Sequence, residues 1–173
     1  MKIISIISTF LFLLAGIIFA SSLQEQNKAL AKRAFEELLS RGQFELAEQL
    51  YAKDFANHGI HRDIGLQEDQ EALKGWHQAF PDIVIVPKKL IAEGDLVVVY
   101  WVARGTNTGT GNGLPATGKK VEQAGITIWR IVDGKIKEEW SAFDQLSMMK
   151  QLGLLDQKPS GASETDATDK KKE

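Results

Sequence analysis

The chain has 173 residues, 43% of them hydrophobic and 25% charged, a composition that excludes a wholly disordered, collagen-like or multi-span membrane protein and fits one modest domain. Lys and Arg total 21 and Asp and Glu 23, for a net charge of −2, so nothing in the charge recommends nucleic acid as a partner. Cysteine is absent, which removes disulfides, thiolate metal sites and cysteine nucleophiles and leaves carboxylates, three histidines and hydroxyls for any chemistry.

In chain order, the first feature is a leader. Lys2 precedes an uncharged apolar run from Ile3 to Ala20, followed by Ser21 and Ser22. Residues 1–22 therefore read as a secretory signal peptide, with Ala20 or Ser22 as the small residue at the cleavage site, and the expected location is secreted or periplasmic. The alternative is an uncleaved anchor, since the run is at the lower length limit for spanning a bilayer; a membrane is a partner only in that case.

Residues 23–155 read as the folded domain. Leu30, Ala34, Phe35, Leu38 and Leu39 fall at helical spacing, and Arg41-Gly42 supplies a stop. Phe44, Ala47, Leu50 and Tyr51 continue the pattern in a second, short helix. A third runs from about Leu66 to Phe80 and ends at Pro81. Strands follow at Ile83 to Ile91, Leu96 to Arg104, Val121 to Val132 and Lys135 to Phe143, punctuated by Gly94-Asp95 and Asp133-Gly134, and a last helix spans Gln145 to Leu152. Helices first and adjacent strands afterwards predict an α+β domain with an antiparallel sheet covered on one face. Residues 156–173 hold almost no large apolar side chain and are expected to be a disordered polar tail.

The Asp133-Gly134 turn permits a register. A two-residue type I′ hairpin pairs Val132 with Lys135 and Ile131 with Ile136, and, counting outward, Trp129 with Glu138, Thr127 with Trp140, Gly125 with Ala142 and Gln123 with Asp144. That face leaves a gap at Gly125 and Ala142 between aromatic side chains, a candidate pocket. Glu139 and Phe143 fall on the opposite, more mixed face, and a bulge at Gly134 would slip one strand and break this pairing. The third helix must cover the sheet and Trp101 lies mid-strand, so Trp76, Trp101, Trp129 and Trp140 are the expected cavity walls. The outer face, with Phe143 and Ile128, is a candidate surface for a homodimer.

Several motifs in one order carry a family resemblance. They are Phe80-Pro81-Asp82, the run from Leu90 to Val98 through Glu93-Gly94-Asp95, Gly105-Thr106-Asn107-Thr108-Gly109, and Gly113 to Lys119. Asp133-Gly134-Lys135-Ile136, Glu139-Trp140, Asp144 and Gln151-Leu152-Gly153 complete the set. Together they resemble the SnoaL-like polyketide cyclase (ester cyclase) family over about Asn27 to Leu155. The resemblance implies the cone-shaped fold of the nuclear transport factor 2-like superfamily, with helices and a curved sheet around an apolar cavity. That superfamily hosts cyclases, isomerases and non-catalytic binding modules alike.

The resemblance also assigns roles. Asp144 matches the aspartate that acts in the cyclases as general acid and base, and desolvation beside Trp140 would raise its pKa toward the working pH. As a residue preceding a helix it can equally be an N-cap. His58, after Asp54-Phe55, matches a family histidine able to polarise a carbonyl; closing a loop by a backbone hydrogen bond is its other reading. Gln123 is placed to hold a substrate carbonyl or to satisfy Asp144. Asn107 stands where many relatives have histidine; it cannot shuttle protons and counts only as a substrate contact. No metal or cofactor is expected: His58 and His61 lack a placed third ligand. The expected function is binding of a small apolar carbonyl compound or ester, with cofactor-independent cyclisation or proton transfer, against the rival of a non-catalytic binding module.

Overall fold

A computed structural model describes residues 22–155; the expected leader, Ser22 excepted, and the expected tail lie outside the described residues. The first helix, α1 (residues 22–33), runs on into a π-helical turn over Ala34–Ser40, which ends where Gly42 takes a left-handed φ of +68°. Ala31, Ala34, Phe35 and Leu38 on its inner side are all essentially inaccessible. A short 3-10 turn, Phe44–Leu46, leads into α2 (Ala47–Leu50), then come β1 (Tyr51–His58), β2 (Asp63–Gly65) and α3 (Leu66–Ala79). Beyond Pro81 the chain forms β3 (Val84–Glu93), β4 (Leu96–Thr106), β5 (Lys120–Val132), β6 (Lys135–Phe143) and α4 (Gln145–Leu152).

The strands make one curved six-stranded sheet in the order β2-β1-β6-β5-β4-β3. The α+β class stands, with one difference from the expected antiparallel sheet: β1 runs parallel to β6, so the sheet is mixed. Sequence spacing concealed β1. Tyr51 and Phe55, both buried, are four residues apart, a spacing that a strand and a helix share, and Lys53 between them is exposed where the register shifts, so the alternation that marks a strand is missing. The other four pairings, β1–β2, β3–β4, β4–β5 and β5–β6, are antiparallel; in the β3–β4 hairpin Lys88 is the extra residue of a bulge beside Pro87 on the edge strand.

The β5–β6 hairpin corrects the simple register. Asp133 (φ +50°) and Gly134 (φ +68°) form the expected turn, and Val132 still faces Lys135 and Ile131 still faces Ile136. Beyond that point β6 slips by one residue at Lys137, so Trp129 opposes Glu139, Thr127 opposes Ser141, Ile126 opposes Ala142 and Gly125 opposes Phe143. Because side chains alternate with a period of two, one extra residue moves every later side chain of β6 to the other face. Glu139, Ser141 and Phe143 turn toward the helices. Trp140 turns away and, with Tyr100 and Ile126, stands exposed on the outer face.

The main core lies between the inner sheet face and α1. Trp129 is fully buried, its ring 5.0 Å from Phe35 and 6.3 Å from Tyr51. A second cluster, including Phe80, Val121, Met148 and Leu152, closes the opposite end beneath α4. Among the described residues no helix is long and apolar enough to cross a membrane.

Candidate functional site

Between these clusters is a cavity of about 200 Å³. Phe35 and Leu39 wall it from the first helix, Leu73, Trp76 and Phe80 from α3, Trp101 and Ala103 from β4, and Met148 from α4. Gly125 makes the β4 wall possible: a Cβ there would lie 2.1 Å from Trp101 Cζ2. The gap expected at Gly125 is therefore occupied by the Trp101 indole. Ala142 lies on the outer face and borders nothing inside.

The polar wall is a strip on β5 and β6 made of Gln123, Thr127, Glu139 and Ser141. Trp101 Nε1 donates to Thr127 Oγ1 at 3.0 Å, Thr127 and Ser141 hydroxyls meet at 2.8 Å, and Ser141 Oγ donates to Glu139 Oε1 at 2.7 Å. Trp129 Nε1 donates to Glu139 Oε2 at 2.7 Å. An indole N–H can only donate and Ser141 spends its proton on the carboxylate, so the Thr127 proton must point to Ser141. The chain of hydrogen bonds thus runs in one direction and ends on Glu139.

Burial pushes the Glu139 carboxyl up to about 7, the nearby Asp69 charge adds to this, and the bonds from Trp129 and Ser141 hold it back. Asp69 is raised too, by burial, against the Asn57 Nδ2 bond of 2.8 Å that favours its charged form. Burial, and then the charges of Glu139 and Asp69, keep the Tyr51 phenol neutral. A carboxyl that changes charge near pH 7 can both accept and donate a proton under ordinary conditions.

The residues singled out from sequence are not gathered in one place. Trp76, Trp101 and Gln123 are on the cavity wall. Gln123 donates to the Asp144 carbonyl at 2.7 Å, which fastens β5 to the start of α4. The Asp144 side chain is exposed, and its Oδ1 accepts from Ser147 N at 2.9 Å as the N-cap of α4. Trp129 is behind the wall, tied to Glu139. Trp140 and His58 stack on the outer side at 4.7 Å, with His58 Nδ1 3.0 Å from Asp63 Oδ2. Asn107 is fully buried away from the cavity: its Nδ2 donates to the carbonyls of Ala79 (3.1 Å) and Gly109 (3.0 Å), and its Oδ1 accepts from Thr117 N and Oγ1, both at 2.9 Å. It pins the loop before β5 to the end of α3. Glu139 was missed because the bulge at Lys137 hid its face; three consecutive charged residues, Lys137 to Glu139, interrupting the alternation were the available signal.

Comparison with known proteins bears on this geometry. The SnoaL-like polyketide cyclase profile matches residues 29–152. Among solved structures, AclR from Streptomyces galilaeus, a proposed hydroxylase, superposes with a TM-score of 0.70 at 23% identity over 79% of this chain and 87% of its own. IdmH from Streptomyces antibioticus, a proposed polyketide cyclase, gives 0.65 at 26% identity over 74% and 99%. A further proposed polyketide cyclase, from Bacillus cereus, gives 0.64 at 27% identity over 75% and 81%. No curated protein matches the chain. With a family match spanning most of the chain, and an α+β fold shared with those structures, this protein belongs to the SnoaL-like polyketide cyclase family.

Proposed function

We propose that this domain binds a small, largely apolar carbonyl compound or ester in the cavity and moves a proton on it, as a cyclase- or isomerase-type protein without a cofactor. The observation that carries the reading is the composition of the wall: aromatic and aliphatic on nearly every side, with one strip of hydrogen-bonding groups. Among the described residues the cation on that wall is Arg104, and Glu122 holds it at 2.7 Å and 3.2 Å. An anionic ligand would thus find no free positive charge, whereas a neutral carbonyl compound needs none. Two carboxyl groups are the candidates: Glu139 lies on the cavity wall, and Asp144, which caps α4, is the one the family resemblance names. The family resemblance favours Asp144 and the cavity wall favours Glu139. The leader-like pattern of residues 1–22 supports work outside the cytoplasm.

Native mass spectrometry of gently purified protein tests the ligand class. A co-purifying neutral carbonyl compound is the expected result, and it should be lost from Ala103→Phe, which fills the cavity from β4. A charged ligand, or one retained undiminished by Ala103→Phe, would contradict the reading. The rival, a binding module without turnover, would bind the same compound and return it unchanged.

A further inference from the structure

The carboxyl group that the family resemblance leaves without a role is the one on the cavity wall. We infer that the Glu139 carboxylate removes and returns the proton on the bound carbonyl compound, with Trp129 and the chain Ser141, Thr127 and Trp101 as positioning residues. The inference rests on the carbonyl-ligand reading above and assigns its chemistry to a particular atom group.

Three observations carry it. First, among the described residues Glu139 is the carboxyl group on the wall, whereas Asp144 is five residues beyond Glu139, about 16 Å at strand rise, and is occupied as a helix cap. Second, each Glu139 oxygen accepts one hydrogen bond of 2.7 Å, from Trp129 or Ser141, which fixes the carboxylate plane and leaves a lone pair on each oxygen for the ligand. The donors are themselves held, Trp129 by complete burial and Ser141 through Thr127 and Trp101. Third, a carboxyl group held near 7 is a far stronger base than an exposed glutamate while remaining ionised in a useful fraction of molecules.

The step balances without a co-reactant. A lone pair on Glu139 takes a proton from the carbon next to the ligand carbonyl, the C–H electron pair forms a C=C bond, and the C=O π pair moves onto oxygen. The resulting neutral Glu139 then returns the proton to carbon or oxygen. The groups that set its charge state are few: Asp69 on α3 and Tyr51 at the start of β1 are the titratable neighbours, Trp129 and Thr127 face it from β5, and Arg104 of β4 is engaged by Glu122.

The test uses 1-indanone, an uncharged two-ring ketone, with binding followed by protein chemical shifts and α-proton exchange into D2O followed by NMR between pH 5 and 9. Failure of 1-indanone to bind would overturn the carbonyl-ligand reading and this inference with it. Binding without exchange would overturn the inference alone. We expect exchange that rises with pH to a plateau, and a fall of about a hundredfold or more in Glu139→Gln with the ketone still bound. Two further variants keep the result independent of that one. Asp69→Asn removes a like charge and should move the midpoint of the exchange profile to lower pH; Ser141→Ala removes a bond to the carboxylate and should move it higher. An unchanged rate in folded Glu139→Gln, or a profile indifferent to both other variants, would overturn the assignment.

Discussion

Replacing Glu139 by Gln should make the protein more stable than the parent at high pH and not at low pH. Folded Glu139 holds its proton up to about 7, whereas in the unfolded chain it ionises near its ordinary 4.5. Between those values the folded state carries more protons than the unfolded one, so the stability contributed by the neutral acid is present below pH 4.5 and is lost as pH rises through 7. The full shift corresponds to about 3 kcal/mol, of which about 2 to 3 kcal/mol falls between pH 5 and pH 8. Glutamine is neutral throughout and escapes this loss. It does lose one bond: its carbonyl can accept from Trp129 Nε1, but its amide then faces Ser141 and leaves that hydroxyl proton without its acceptor, at about 1 kcal/mol. The variant should therefore be about as stable as the parent, or slightly less, at pH 5, and about 1 to 2 kcal/mol more stable at pH 8. Urea unfolding of both proteins at the two pH values gives the difference directly, and titrating groups other than Asp69 and Tyr51, the neighbours of Glu139, cancel in the comparison. A stability difference that does not change with pH would refute the placement of Glu139 as a buried acid.

Three other outcomes follow from the packing and one from the sequence of residues 1–22. Gly125→Ala should push Trp101 off its site, lower the melting temperature by the equivalent of about 1 to 3 kcal/mol and weaken ligand binding, both measurable on one sample. Asn107→Ala strands several buried partners and should cost about 3 kcal/mol in chemical denaturation, while ligand affinity of the folded fraction stays as it was. Asp144→Asn should leave the melting temperature unchanged, because asparagine caps a helix as well as aspartate; a turnover loss of about a hundredfold with affinity retained would instead make Asp144 the proton-transfer group. N-terminal sequencing of native material from outside the cytoplasm should begin near Ser21 to Leu23, and a mature chain beginning at Met1 would count against the leader.

The elements with unbroken periodicity are legible in the sequence: α3 up to Pro81, α4, both hairpins and the sites of their turns. What could not be read was the effect of two bulges. In β1 the inward Tyr51 and Phe55 are at a spacing common to strand and helix, and exposed Lys53 near the register shift breaks the alternation, so the strand and its parallel pairing with β6 were hidden. In β6 one extra residue at Lys137 reversed the faces, putting Trp140 outside and Glu139 inside. Bulges are set by tertiary pairing rather than by local preference, so only the broken alternation marks them. Trp76 and Trp101 came from the simpler argument that mid-element tryptophans face the covering layer, and both line the cavity. The histidine and asparagine motifs owe their place to loop closure: Asn107 spends every side-chain hydrogen-bonding group on neighbouring backbone and Thr117, which no spacing rule reveals.

The most direct test of the central claim, that the space between α3 and the inner sheet face is the ligand site, is to record nuclear Overhauser effects from bound 1-indanone to protein methyl groups. The account predicts contacts to Leu73, Ile85 and Met148, which wall the cavity from α3, β3 and α4. Contacts to Ile126 and Val98 on the outer face, with none to those three, would contradict it.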